Sequence, residues 1–204
     1  MQDAVYHQFA STFDTHWWSD HRRALVARLL ASAGVEPDGS REVLEIGCGA
    51  GNEHAFLARY GRVTGVEISE AGLVYCRQRG YHQLIAGDLN EVELPHERFD
   101  LVADFHVLYH SWVRDPGEVL ARLCRALKPG GHLVLSEPAY EALRRGHDEH
   151  VMAARRWTRG ALLSLIRESG FEVERCTGFL TLLAPAVVGS LVLDKLRGSQ
   201  HAGA

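Results

Sequence analysis

The chain lacks the features that would tie it to a membrane, a nucleic acid or an oxidising compartment. No uninterrupted apolar run reaches the roughly 20 residues that span a bilayer. There is no excess of positive charge: the formal net charge is −4, whereas a nucleic-acid partner asks for a basic face. The pairs Arg22-Arg23, Arg144-Arg145 and Arg155-Arg156 read as solvated helix faces. Cys48, Cys76, Cys124 and Cys176 are scattered with no C-x-x-C, which points to free thiols in a reducing compartment. Met1-Gln2-Asp3-Ala4 is not the start of a signal peptide, so a cytoplasmic location is expected. Internal repeats and low-complexity tracts are missing. A metal is not expected either, because His147-Asp148-Glu149-His150 has no third ligand placed by spacing. The length of 204 residues suits one domain with a full core.

What is present centres on Val43-Leu44-Glu45-Ile46-Gly47-Cys48-Gly49-Ala50-Gly51-Asn52. A short apolar run reads as a buried parallel strand, and it breaks into glycines at alternate positions before a segment with helical patterning. Glycine permits positive φ and lets a ligand approach the backbone. Strand, turn and helix make a crevice at the carboxyl end of a strand, where open α/β sheets bind ligands. The spacing is G-x-G-x-G rather than G-x-G-x-x-G, and Glu45 precedes it. A pyrophosphate prefers bare N–H groups at a helix N-terminus; a carboxylate beside the loop suits a positively charged ligand. This E-x-G-x-G-x-G segment resembles motif I of class I methyltransferases that use S-adenosylmethionine (SAM).

Further segments extend the resemblance. Arg62 to Ile68 reads as a second strand ending in Glu67, 22 residues after Glu45 and near the spacing of a ribose-binding carboxylate. Such an acid serves SAM and NAD alike. Gly87-Asp88-Leu89 resembles the family's G-D-[LIVA] element, with Asp88 on the adenine amine and the backbone of Leu89 against the ring; Asp88 also reads as a turn residue before Asn90. Leu127-Lys128-Pro129-Gly130-Gly131 ahead of an apolar strand, and Ser169-Gly170-Phe171-Glu172-Val173, are frequent marks of the family. Tyr6-x-x-Phe9-Ala10-x-x-Phe13-Asp14 is similar to the cofactor-capping opening of many small-molecule methyltransferases. His16-Trp17-Trp18 with Arg22-Arg23, and the run from His147 to Thr158, resemble a bacterial subgroup of the type 11 methyltransferases. Trp18 thus reads either as packing for the helices or as a cation–π lid over a sulfonium.

After the expected fourth strand, Phe99 to Phe105, comes His106-Val107-Leu108-Tyr109-His110, where related enzymes read D-V-L-E-H. His106 is then either a packed, hydrogen-bonded strand-end histidine or a base beside the methyl group; His110 reads as structural. The resemblance implies that Glu45 orients the loop and the methionyl ammonium while Gly47, Cys48 and Gly49 pass close to the cofactor. It adds Asn52 at the start of the following helix, Ile68 beside Glu67, and Phe105-His106 at the methionyl end.

The expected architecture is a three-layer αβα sandwich around a doubly wound, mostly parallel sheet of the Rossmann-like SAM-methyltransferase type. One domain covers 1–197, with a helical lid at 1–35 and a substrate-side insertion at 139–157; 198–204 is a flexible tail. Helices are expected at 52–60, 70–79 (Ser69 as N-cap) and 158–169, and a strand at 171–176. Phe179 to Leu196 is strongly apolar and reads as a closing strand and helix, or as a greasy surface for a lipid-like acceptor or membrane interface. The expected activity is methyl transfer from SAM to a small-molecule acceptor, in a monomer or homodimer. A non-catalytic SAM-fold regulatory subunit and a nicotinamide-dependent reductase are the rivals.

Overall fold

The computed structural model describes residues 16–144, 146, 148, 151–179, 181 and 189. The expected first helix with Tyr6, most of the apolar 179–196 segment and the tail lie outside the described residues. The elements run α1 (Trp17–Ser32), β1 (Arg41–Ile46), α2 (His54–Leu57), β2 (Gly61–Glu67), α3 (Glu70–Arg79), β3 (Gln83–Ala86), β4 (Phe99–Phe105), α4 (Pro116–Ala126), β5 (Leu127–Ser136) and α5 (Arg159–Glu168), with a 3₁₀ turn at Glu141–Leu143.

The five strands form one sheet in the order β3-β2-β1-β4-β5, and every pairing is parallel. Alternation along each strand explains the layers. Val43, Val63, Leu101 and Ala103 join Val26 and Leu30 of α1 and Phe56 and Leu57 of α2 on one face. Leu44, Ile46, Val66 and Val102 meet Val119, Leu120 and Leu123 of α4 and Ile166 of α5 on the other. The strand order reverses between β1 and β4, so their carboxyl ends open the crevice where such sheets bind ligands.

Helix ends follow local chemistry. Asp115 caps α4, its Oδ1 accepting from the N–H groups of Gly117 at 2.9 Å and Glu118 at 3.1 Å, with Pro116 next in the chain. Thr158 caps α5, and Gly80 closes α3 in the left-handed region at φ 88°.

Three expectations need correction. The helix expected over 52–60 is the four-residue turn His54–Leu57, because the chain must drop straight into β2 while burying Leu57 and Tyr60. Ser69 stands at the N-cap of α3 but its side chain makes no cap bond; its N–H donates to Glu67 Oε1 at 2.9 Å instead. Residues 171–176 pair with no strand: Phe171 and Val173 pack against the α4-side core, but nothing among the described residues supplies a ladder. Among the described residues no helix is long and apolar enough to cross a membrane.

Candidate functional site

The glycine loop leaves β1 and returns its own hydrogen bonds to the protein. Gly47, Gly49 and Gly51 all have positive φ, at 56°, 56° and 75°. The N–H of Cys48 donates to the Val66 carbonyl at 3.1 Å and that of Gly51 to the Cys48 carbonyl at 2.8 Å. The N–H of Gly49 donates to Glu67 Oε2 at 2.8 Å. A carboxylate at the tip of β2 thus occupies the amide that a phosphate would need. Above Gly49 there is room: an added β-carbon would meet only the Gly47 carbonyl at 3.9 Å. Beside Glu67, Ile68 is 61 % exposed, a large apolar side chain left at the strand tip. Behind the loop Cys48 and Cys76 face each other as free thiols, Sγ to Sγ 3.5 Å.

Under the loop lies a buried polar group that alternation in β1 sends towards α1. Tyr81 donates its hydroxyl to Glu45 Oε2 at 2.5 Å. Burial pushes the Glu45 carboxyl up to about 8, against the Tyr81 bond and Arg22, with Glu53 and Glu67 adding to the rise. Arg22, buried in α1, donates to Glu53 Oε1 at 2.6 Å, and Arg23 donates from Nε to Glu53 Oε2 at 3.0 Å. The Arg22 guanidinium also covers the Trp18 ring at 4.7 Å and the Phe105 ring at 4.9 Å. Its Nε, buried, has no partner among the described residues.

At the end of β4 the chain makes a strained turn. His106 takes φ 65°, a left-handed conformation that costs a β-carbon-bearing residue energy. Its N–H donates to the Ser136 carbonyl at 2.9 Å, and its Nε2 lies 3.3 Å from Ser136 Oγ. The half-buried imidazole packs against Trp18, ring centroids 5.1 Å apart, and Phe179 meets the other ring edge-on at 5.8 Å. Burial, helped by Arg22, His110 and Arg156, pushes His106 down to about 3, so it is neutral throughout the physiological range. Glu137 Oε1, at the end of β5, accepts from the N–H groups of Val107 at 3.1 Å and Leu108 at 3.0 Å. Asp104 Oδ1 accepts from the same Val107 N–H at 3.1 Å.

The structure therefore gathers Trp18, Phe105 and His106 on one side of the crevice and Gly47, Cys48, Gly49, Glu67 and Ile68 on the other. Glu45 sits beneath them. Asn52 is engaged through its carbonyl, which accepts from Arg23 at 2.9 Å. Asp88 does what a turn residue does: its Oδ1 accepts from the backbone and side-chain nitrogens of Asn90 at 2.8 and 2.5 Å. The Leu89 side chain is in the α4-side core. His110 stacks on Trp112 at 3.7 Å and its Nδ1 lies 2.8 Å from the Val151 carbonyl, a structural role. The described part of 1–35 contributes Val26 and Leu30 to the core, so α1 is a packed layer that carries Trp18 rather than a loose lid.

The insertion at 139–157 is clamped to the turn after β4. Ala154 and Arg155 donate N–H groups to the Tyr109 carbonyl, and the Arg155 guanidinium reaches the carbonyls of Leu108 and Val113, each at 3.0 Å. Asp148 is buried and paired with Arg156 at 2.9 Å rather than offered to a metal. Among the described residues no group of three His, Cys, Asp or Glu side chains could hold a metal ion. Sequence reasoning missed Glu53, Tyr81, Asp104 and Glu137, and it read Arg22 as a solvated helix face where the structure buries it against Glu53. The one local signal for Asp104 and Glu137 is an acid closing an apolar strand.

SAM fits what is here. The loop offers open space above Gly49, the amides of Cys48, Gly49 and Gly51 are taken up within the protein, and two acids, Glu45 and Glu67, stand beside it.

A family described as a methyltransferase domain matches residues 44–135. A Mycolicibacterium smegmatis protein named "Probable S-adenosylmethionine-dependent methyltransferase" is 33% identical over 142 residues, covering 68% of this chain and 54% of that one. The ubiquinone biosynthesis O-methyltransferase of Alkalilimnicola ehrlichii is 34% identical over 105 residues, 47% of this chain and 41% of its own length. The chain thus spans about half the length of the curated relatives it matches. The crystal structure of an S-adenosylmethionine-dependent methyltransferase from Mesorhizobium loti has the same fold, with a TM-score of 0.62 at 24% identity over 80% of this chain and 91% of that one.

Proposed function

Residues 44–135 belong to the methyltransferase-domain family, and from that premise we propose that the protein binds SAM across the tips of β1, β2 and β4 and transfers its methyl group to a small-molecule acceptor. The observation that carries this reading is the Gly49 N–H to Glu67 Oε2 bond of 2.8 Å. It takes from the loop the donor that a pyrophosphate needs and leaves a carboxylate for ribose hydroxyls. The ubiquinone O-methyltransferase relative supports a small-molecule acceptor.

When bound, SAM supplies an electrophilic methyl on a sulfonium, which is already a good leaving group. The protein's part is alignment and dryness. Glu67 holds the ribose from the tip of β2, and Ile68 offers an apolar face to the adenine. Asp88, with Oδ1 tied to Asn90, turns its other oxygen to the adenine amine. Glu45 lies below the methionyl end, where its charge answers the ammonium. Trp18 and Phe105 wall the methyl-bearing end, and His106 faces it from β4. A neutral imidazole can accept a hydrogen bond from an acceptor O–H or N–H. Its depressed proton affinity makes it a weak base, so it orients the nucleophile first and takes the proton late.

Calorimetry with SAM and with NADH tests the cofactor: SAM binding without NADH binding is expected, and the reverse result reinstates a reductase. Incubation with methyl-labelled SAM and fractionated cell extract, read by mass spectrometry, tests the transfer. SAM bound tightly with no labelled product in any fraction would instead favour a regulatory subunit.

A further inference from the structure

Two acids that the proposed reaction does not use converge on the turn that presents His106. That turn is costly: a histidine at φ 65° stands where a plain reversal would take glycine or asparagine. Three consecutive backbone donors hold it. The N–H of His106 is taken by the Ser136 carbonyl, that of Val107 by both Asp104 and Glu137, and that of Leu108 by Glu137. Ser136 and Glu137 together make the end of β5 a clamp, with Ser136 Oγ also against the imidazole. The second oxygen of Glu137 accepts from the Trp157 indole N–H at 3.3 Å. Trp157 belongs to the insertion, where its own N–H donates to the Pro138 carbonyl and its carbonyl accepts from Tyr140, both at 2.9 Å. One carboxyl group therefore touches β5, the turn after β4 and the insertion.

Asp104 stands behind it, fully buried, with Oδ2 lacking a partner among the described residues. Two ionised carboxylates do not share one N–H donor in so dry a place. Burial pushes Asp104 up to about 7 and Glu137 well above the usual carboxylate range, Asp104 adding to the latter. One proton stays with the pair. The other titratable or charged groups that bear on this corner are the Tyr109 phenol and Asp148, His110 of the same turn, Arg22 from α1, and Arg156 from the insertion.

We propose that Glu137, backed by Asp104, is the positioning residue for His106: it fixes the left-handed turn that aims the imidazole into the crevice and couples that turn to the seating of Trp157. The functional meaning of this placement rests on the crevice being the methyl-transfer site. The placement itself is testable without that premise.

The test uses the full chain, ¹⁵N-labelled, as wild type and as Glu137→Gln, Asp104→Asn and Trp157→Phe. The signals followed from pH 5.5 to 8.5 are the Val107 and Leu108 amides and the His106 ring nitrogens. In the wild type the two amides are expected to shift across this window, and Glu137→Gln and Asp104→Asn should each change the midpoint or the amplitude of that shift, since the remaining carboxyl stays buried. Trp157→Phe leaves all three acceptors of the turn in place, yet should still move the His106 ring signals. Affinity for S-adenosylhomocysteine should stay within about threefold in all variants, while labelled-methyl transfer by Glu137→Gln drops about tenfold or more, the size of loss that misplacing a reacting group brings. The proposal is overturned if the His106 signals of Glu137→Gln and Trp157→Phe superimpose on the wild type. Should Glu137→Gln fail to fold, Trp157→Phe decides alone. A wild type that binds no S-adenosylhomocysteine removes the methyl-transfer reading but leaves the His106 ring signals of the variants to judge the positioning.

Discussion

Glu45 and Glu67 are both buried acids within one motif, yet they are held differently. Glu67 receives two backbone N–H groups, from Gly49 and Ser69, whereas Glu45 receives, among the described residues, the Tyr81 hydroxyl and is pushed up to about 8 by burial. Glu67 is thus part of the loop's frame. Glu67→Ala should weaken SAM binding by about tenfold or more, since a charge-accepted hydrogen bond contributes roughly 1.5–3 kcal/mol; calorimetry reads it. Glu45 is protonated in most molecules at neutral pH, and a cationic ligand above it favours the ionised form. SAM binding should therefore release a proton, and affinity should rise with pH between 6 and 7.5, by up to about tenfold per unit in the linkage limit. Titrations in two buffers of different ionisation enthalpy measure the release, and Glu45→Gln should flatten the dependence. If the wild-type affinity is flat, Glu45 does not face the cation. His106→Ala is expected to spare SAM binding and to slow turnover on labelled extract; unchanged turnover would remove its role in orienting the nucleophile.

Helices and strands were legible where local chemistry decides them. Asp115-Pro116-Gly117 announces α4, and the structure puts Asp115 Oδ1 on two N–H groups. Asp115→Ala should cost about 1 kcal/mol, a fall in Tm of about 2–4 °C for a chain of this size by scanning calorimetry. The strands Arg41–Ile46 and Phe99–Phe105 match the apolar runs read from the sequence. Tertiary demands set the rest. The 52–60 pattern would carry a longer helix, but burying Tyr60, whose ring meets Phe56 edge-on at 5.6 Å, stops it after one turn. Phe171-Glu172-Val173 alternates like a strand, and only a neighbour's backbone could have made it one. The site divides along the same line. Gly47, Gly49 and Glu67 follow from spacing in one βαβ unit. Arg22 with Glu53, 31 residues apart, and Asp104 with Glu137 depend on the sheet bringing distant segments together. Asp88 was legible twice over, as an adenine contact and as a turn, and the structure supports the turn directly.

Across the whole molecule the buried titratable groups pull stability in two directions. Glu45, Asp104 and Glu137 have pKa values raised by burial, the first to about 8 and the second to about 7. A raised carboxyl contributes stability that is complete below its unfolded value, near 4, and that is lost as pH rises through the folded value. His106 and His110 are pushed down by burial to about 3 and about 4, so their contribution is present above the unfolded value of 6.5 and lost as pH falls below it. Below pH 6.5 the two sets oppose one another, so stability should change less steeply with pH there than above it. Above 6.5 the unfolded histidines have already shed their protons, and only the carboxyl groups count. The folded chain then holds on the order of two protons more than the unfolded one, and each is worth about 1.4 kcal/mol per pH unit before relaxation. Stability of the ligand-free protein should fall between pH 6.5 and 8, read as a falling Tm by scanning calorimetry. Glu45→Gln and Asp104→Asn should each make the curve shallower. Because SAM favours the ionised Glu45, a saturating concentration should raise Tm more at pH 8 than at 6.5. An equal increment at both pH values would mean that the cation binds without discharging the acid beneath the glycine loop.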